Sequence, residues 1–195
     1  MNSAAGNDSP RESARTRILD AAYELFSRHG IRGVGIDRII AEADVAKATL
    51  YHHFPSKEDL ALAFLELREQ RWTHDWLKAE VERLAGIPQD RAIAVFDALD
   101  EWFQRSDFEG CSFINTLLES DDVHDPVHRE ATRHLNVIKA LLASYAEQAG
   151  VASPDDVGDK LQILMFGAIV AAGRGDAGAA LQARAIAQLL LGDAR

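Results

Sequence analysis

From Arg11 onward, apolar residues recur every three or four positions: Ile18, Leu19, Ala22, Leu25 and Phe26 trace one face, and Gly30 follows His29 where a helix would end. The pattern predicts a first helix over 11–29. Gly33 and Gly35 bracket a short connection, after which Ile36, Ile39, Ile40 and Ala43 predict a two-turn helix. Asp44 sits at the break, and 47–53 forms a third short helix with Leu50 and Phe54 directed inward. Pro55 ends that segment, and Ser56 followed three residues later by Asp59 resembles a capping box. From Lys57 to about Leu84 there is neither Gly nor Pro, so one helix on the order of 40 Å long is expected, able to join two domains.

Gly86 and Pro88 stop that helix, and 90–105 supplies a fifth through Val95, Phe96, Leu99, Trp102 and Phe103. After Gly110, residues 113–119 make a short sixth. Asp125 and Pro126 form an N-cap and first-turn proline for a long amphipathic seventh ending at Gly150. Pro154 opens an eighth carrying Val157, Leu161, Leu164, Met165, Ala168 and Ile169, and beyond Gly178 a ninth carries Leu181, Ala185, Ile186, Leu189 and Leu190. The fold class is all-α. Composition agrees, with 53 Ala and Leu against 27 Val, Ile and Thr. Residues 1–10 hold almost nothing large and apolar and are expected to be a disordered tail, followed by a helix-turn-helix domain over 11–55 and a second helical domain over 56–195.

Charge and cysteine content narrow the functions open to such a chain. Of the formal charge of -10, residues 1–60 contribute only -1, so the acidity belongs to the rest. That argues against non-specific nucleic-acid binding while leaving room for a localised DNA-reading face. One cysteine, Cys111, excludes a disulfide framework and any four-Cys or Cys2His2 zinc module. The start of the chain lacks a basic region followed by an apolar run, and the longest apolar stretches are about 11 residues against the roughly 20 that span a bilayer. The reading is a soluble, cytoplasmic protein with no membrane partner.

Two short helices joined by a tight turn behind a longer one make a unit whose second helix can enter a major groove. By spacing alone, 36–54 is either that unit or a plain helical hairpin. With Leu50 turned inward, Lys47, Ala48, Thr49, Tyr51, His52 and His53 are left for the outer surface. Lys47 can neutralise a phosphate, the Thr49 and Tyr51 hydroxyls can donate hydrogen bonds, and imidazoles can donate to phosphate or base acceptors. Lys57 and Ser56, at the amide-rich start of the next helix, make an anion anchor.

The run Ile-Ile-Ala-Glu-Ala-Asp-Val-Ala-Lys-Ala-Thr-Leu-Tyr-His-His-Phe-Pro-Ser-Lys-Glu-Asp-Leu (39–60) and the preceding Arg-Ile-Leu-Asp-Ala-Ala-Tyr-Glu-Leu-Phe-Ser-Arg-His-Gly (17–30) closely resemble the N-terminal domain of the TetR family of transcriptional regulators. The resemblance is strong over about 11–65 and weaker beyond, where Gly-Cys-Ser-Phe-Ile-Asn-Thr (110–116) and Asp-Pro-Val-His-Arg (125–129) look like features of one subgroup. It implies a homodimer that binds a palindromic double-stranded DNA operator. The C-terminal helices then form both a ligand cavity and the dimer interface, and a small-molecule effector releases the DNA by tilting the long fourth helix. Carried over by position, the DNA-contacting residues are Lys47, Ala48, Thr49, Tyr51, His52 and Lys57, with Tyr51 and His52 mainly on phosphates. Three positions depart from the family pattern. Asp44 stands at the usual turn glycine, Ala46 at the cap serine of the third helix, and Gly35 at the cap of the second. Asp tolerates a left-handed turn, but Ala in place of a capping Ser costs roughly 0.5–2 kcal/mol, so the third helix is expected to fray without DNA.

Beyond the reading head, Trp72, Trp76, Phe96, Trp102, Phe113 and Phe166 suggest an apolar or aromatic ligand cavity, with Asn115 and Glu119, four apart, as its polar groups. The competing reading is core packing, with Glu119 solvated. Helices near 157–173 and 178–192 carry broad apolar stripes, read as a four-helix dimer interface or as intrachain core. No metal site is assigned: His128 and His134, six apart, lie on different helix faces, while His124, Asp121, Asp122 and Asp125 suit loop and cap positions. His74 is read as surface or satisfied, and Cys111 as a small, partly buried residue. No cofactor motif occurs, and neither paired Glu-x-x-His nor nucleophile-elbow signatures are present, so an enzyme is not expected. A protein-binding adaptor that has lost DNA binding is the alternative.

Overall fold

A computed structural model of the chain describes residues 13–120 and 122–194. The expected tail over 1–10, the start of the first helix at Arg11 and Asp121 lie outside the described residues. Among those described the structure is helical throughout, with nine helices when 57–84 is counted as one rod. The chain divides into two compact units between Phe64 and Leu65.

In the first unit, α1 (Ala14–His29) starts where the Ser13 hydroxyl accepts the Thr16 amide at 3.2 Å, and ends at Gly30, whose φ of 73° only a residue free of Cβ strain adopts readily. Its buried face is Ile18, Ala21, Ala22, Leu25, Phe26 and Ser27; of the residues the spacing named, Leu19 alone is only half-buried, and Ala21 and Ser27 join the face. Helices α2 (Ile36–Ala43) and α3 (Lys47–His53) have the predicted bounds. The turn between them passes through Asp44 at φ 49°, ψ 58°, the left-handed conformation expected for a residue replacing glycine. Neither Gly35 nor Ala46 gives a side-chain cap. The first turns of α4 complete this core: Leu60, Ala61 and Phe64 are buried, and Tyr23 and Phe26 meet the Phe64 ring edge-on at 5.7 and 5.4 Å.

Helix α4 begins at Lys57, after Ser56 accepts the Asp59 amide at 3.0 Å and donates its hydroxyl to the Asp59 carboxylate at 2.6 Å. It runs without interruption as Lys57–Arg68, Glu69–Leu77 and Lys78–Leu84, but the middle stretch is π-helical. Wider winding makes residues five apart neighbours. Glu69 pairs with His74 at 3.2 Å, and Gln70 donates to Asp75 at 2.7 Å. A uniform α-helix, as the spacing predicts, would hold neither pair.

The second unit contains the rest of α4 with α5 (Arg91–Phe103), α6 (Ser112–Glu119), α7 (Pro126–Gln148), α8 (Pro154–Gly173) and α9 (Ala179–Asp193). Asp125 caps α7 as expected, accepting the Val127 amide at 2.8 Å, and Pro126 and Pro154 occupy first turns. Phe96, Leu99, Ile138, Leu142, Leu161 and Met165 are fully buried and form its core. α7 and α8 approach closely because residue 158 is glycine; a Cβ there would lie 2.9 Å from Ala143 backbone atoms.

Candidate nucleic-acid interface and effector region

The reading head is assembled from local rules. Leu50 is fully buried and Phe54 nearly so, which fixes the rotation of α3 about its axis. Lys47, Ala48, Tyr51 and His52 are consequently exposed, Thr49 and His53 half-buried, and Lys57 half-buried at the first residue of α4. The Lys47 ammonium donates to Asp37 Oδ1 at 3.2 Å, and the His52 ring meets His53 edge-on at 5.1 Å. α3 thus presents a short polar face bearing a cation, hydroxyls and imidazoles, chemistry suited to phosphates and base edges.

Three arginines escape a reading by spacing. Arg17 on α1 donates through Nε to the Ala43 carbonyl and through Nη2 to that of Asp44, both at 3.3 Å, satisfying carbonyls at the end of α2 that the helix itself leaves open. Arg38, exposed on α2, bonds His29 Nε2 at 3.0 Å and adds a cation near the head. Both contacts join residues from different elements. Arg15, whose guanidinium lies 5.0 Å over the Phe54 ring, is a third such case.

In the second unit, Trp72, Trp76 and Trp102 come together with ring centroids 5.3–5.6 Å apart, and Phe103 and Phe108 extend the cluster from Trp102. Phe113 stacks instead on His134 at 5.0 Å. Phe96 is wholly buried in α5 and Phe166 half-buried on α8, and no ring contact among the described residues joins either to the tryptophans. Asn115 is exposed and lines an open groove of about 600 Å³ with Phe108, Cys111, Ile114, Ile169 and Arg174. Glu119 is half-buried and is not part of that lining.

Among the described residues of this unit, Trp72 Nε1, Thr73 Oγ1 and Ser112 Oγ are buried without a hydrogen-bond partner, while Arg184 Nε, also without a hydrogen bond, is ion-paired with Asp97 Oδ1 at 2.7 Å. Thr116 and Thr132, in ordinary helical turns, return their hydroxyls to the carbonyls four residues back, at 2.8 and 3.0 Å. Thr73, fully buried within the π-helical stretch, does not. A buried donor without a partner costs about 1–3 kcal/mol.

The same unit holds a charged cluster around Glu69 and His134. Burial raises the affinity of Glu69 for its proton, yet hydrogen bonds with His134 and His74, with the charge of Arg133, hold its carboxyl below the usual value overall. His74 is satisfied between Glu69 and Lys78. His128 Nδ1 lies 3.1 Å from the Ser120 carbonyl. Cys111 is buried and its thiol is pushed up by desolvation, outweighing backbone amides and Arg68. Along α8 and α9, Ile163, Val170, Leu181, Ile186 and Leu189 are more than half exposed, a large apolar face for a water-facing surface.

Residues 18–64 match the family described as bacterial regulatory proteins, tetR family, and residues 88–184 match a tetracyclin repressor-like C-terminal domain. The structure superposes on SCO4454, a TetR-family transcriptional regulator from Streptomyces coelicolor, with TM-score 0.84 and 31% identity, covering 93% of this chain and 89% of that one. The HTH-type transcriptional repressor NemR of Escherichia coli is 25% identical over 142 residues, 72% of this chain and 71% of NemR. The reduced form of NemR shares the fold at TM-score 0.80 and 22% identity, covering 90% and 95%. The HTH-type transcriptional regulator QacR of Staphylococcus aureus is 32% identical over 68 residues, 35% of this chain and 36% of QacR. These are helix-turn-helix regulators, which disfavours the adaptor alternative. No helix among the described residues is long and apolar enough to cross a membrane.

Proposed function

The chain belongs to the TetR family of bacterial transcriptional regulators, and on that premise we propose that it acts in the cytoplasm as a homodimeric repressor. It reads a palindromic double-stranded operator through α3 and is released by a small apolar or aromatic effector. The observation that carries this reading is the α2–Asp44–α3 unit, with Leu50 locked inward, Lys47, Ala48, Tyr51 and His52 turned out and Thr49 half-buried beside them. Lys57, at the first residue of α4, is assigned to a phosphate. The exposed apolar residues of α8 and α9 are assigned to the twofold interface, and dimer symmetry is what makes the operator a palindrome.

The tryptophan cluster supplies apolar area for the effector, and the unpartnered Trp72 Nε1 and Thr73 Oγ1 supply its polar recognition. Effector binding and operator binding must oppose each other equally, by typically 1–3 kcal/mol, and α4 is assigned the coupling because its residues belong to both units. No catalytic step and no cofactor enters this function.

Selection of genomic fragments by the purified protein tests it. The expected product is an inverted repeat bound at least about a thousandfold more tightly than a scrambled control at physiological salt. Lys57→Ala should lower the salt slope of that binding by about one. Absence of any enriched sequence, with weak salt-insensitive binding, would overturn it.

A further inference from the structure

Four side chains on two helices of the second unit converge outside the tryptophan cluster. Glu66 and Glu69 are three apart on α4, and Glu130 and His134 four apart on α7, spacings that put each pair on one helix face. One donor atom from each of Glu66, Glu130 and His134 lies within 4.8 Å of the others. His134 is fully buried, with Phe113 stacked on its ring, so the imidazole plane is fixed. Glu69 is hydrogen-bonded to His134 Nδ1, while Nε2 lies 3.3 Å from Glu130 Oε1.

A neutral imidazole that gives its Nδ1 proton to Glu69 presents a lone pair at Nε2. That lone pair then faces the Glu130 carboxylate oxygen at 3.3 Å, and a cation placed between the two would satisfy both. In this structure the Arg133 guanidinium neutralises the surrounding carboxylates and lies against the ring. Its Nη2 lies 2.8 Å from Glu130 Oε1, 3.3 Å from Glu66 Oε2, and 3.2 and 3.4 Å from the two ring nitrogens of His134. The side chain of Arg133 is nearly half exposed, and Glu66 more so, so both can move without disturbing the core.

We propose that Glu66, Glu130 and His134 Nε2 form a binding site for one divalent first-row cation of the Zn2+ type, with Arg133 as the resident cation it displaces. One imidazole with two carboxylates is a donor set for a borderline cation, leaving a fourth position for water. Ligands about 2.0–2.2 Å from Zn2+ stand roughly 3.5 Å apart, so closing from the present spread needs only side-chain rotation of Glu66 and Glu130. Glu69 is a positioning residue: its bond to Nδ1 fixes the tautomer and ring orientation, as a carboxylate behind a metal-bound histidine does. The ion cross-links α4 to α7 and is an input to this unit separate from an aromatic effector.

The test is calorimetric titration of the full-length, chelator-stripped protein with Zn2+ in a non-coordinating buffer, with Mn2+ alongside. The expected result is one Zn2+ per chain and a higher melting temperature with the ion. Glu130→Gln and Glu66→Gln should each weaken binding at least about tenfold, and Glu69→Gln about 10–100-fold. Arg133→Ala should retain or tighten it. Glu66 is exposed, so its variant folds, and circular dichroism checks the others. Lack of stoichiometric uptake by both wild type and Arg133→Ala overturns the proposal. So does uptake indifferent to Glu66→Gln and Glu130→Gln, which would place the ion on other histidines.

Discussion

The ammonium of Lys47, at the first residue of α3, is held 3.2 Å from the Asp37 carboxylate in the first turn of α2. Both side chains are well exposed, so the pair contributes little to stability, of order 0–1 kcal/mol, but it occupies the foremost cation of the reading head. Asp37→Asn should release Lys47 and remove the negative charge beside it. Operator and scrambled DNA should both bind more tightly, with a salt slope steeper by up to about one, at a small cost to helix α2 through its dipole. Anisotropy titrations across a salt series read this directly, and an unchanged slope would mean that Lys47 does not meet a phosphate.

Helix α3 starts at Ala46 with no side chain to accept its first amides. Ala46→Ser restores an acceptor worth about 0.5–2 kcal/mol to a helix of only seven residues. We expect operator affinity to rise by a factor of a few or more at fixed salt, with a slower off-rate. Equal or weaker affinity would show that α3 is already fully formed in the free protein.

Thr73→Val exchanges a buried, unpartnered hydroxyl for a methyl of the same shape. Without effector the melting temperature should rise by about 2–4 °C per kcal/mol recovered, while the effector concentration for operator release should increase. A fall in melting temperature would show that the hydroxyl had been satisfied all along.

Gly158→Ala places a methyl 2.9 Å from Ala143 Cα and N, backbone atoms that cannot yield without moving α7 from α8. Overpacking of this kind costs about 1–3 kcal/mol, which outweighs the gain in helix propensity. Gly192→Ala, where nothing lies within 4 Å, is the matched control and should be neutral or slightly stabilising. Thermal melts of the two variants should therefore differ in sign.

Burial raises the Cys111 thiol above its ordinary range, so the reactive thiolate is scarce at neutral pH. Alkylation of the native protein should be slow at pH 7 and accelerate only as the pH passes that of a free thiol. Rapid modification at pH 7 would contradict the buried setting.

The sequence by itself determined the elements and their ends. Apolar spacing placed most of the buried face of α1 and the inward Leu50 of α3, with Leu19, Ile36 and Ile40 only half-buried; Asp125 with Pro126 set the start of α7, and Asp44 announced the left-handed turn. These depend on neighbours within one or two turns, where side-chain size and hydrogen-bonding groups decide the backbone without reference to the rest of the chain. The outward positions of Lys47, Ala48, Tyr51 and His52 on α3 followed from burying Leu50, while Thr49 and His53, read outward with them, are half-buried.

Tertiary structure decided everything that joins distant residues. Arg17 closes the end of α2 from 26 positions away, and Glu69 finds His134 across 65. Three of the six aromatics that spacing suggested for a cavity became one tryptophan cluster, while Phe113 turned to His134 and Phe96 is buried in the core. The π-helical winding of 69–77 likewise has no mark in a pattern free of Gly and Pro, since five-residue pairs such as Glu69–His74 are favourable only after the backbone has widened. Periodicity states which side of a helix is apolar; which helix meets that side, and with which side chains, depends on packing that no single segment contains.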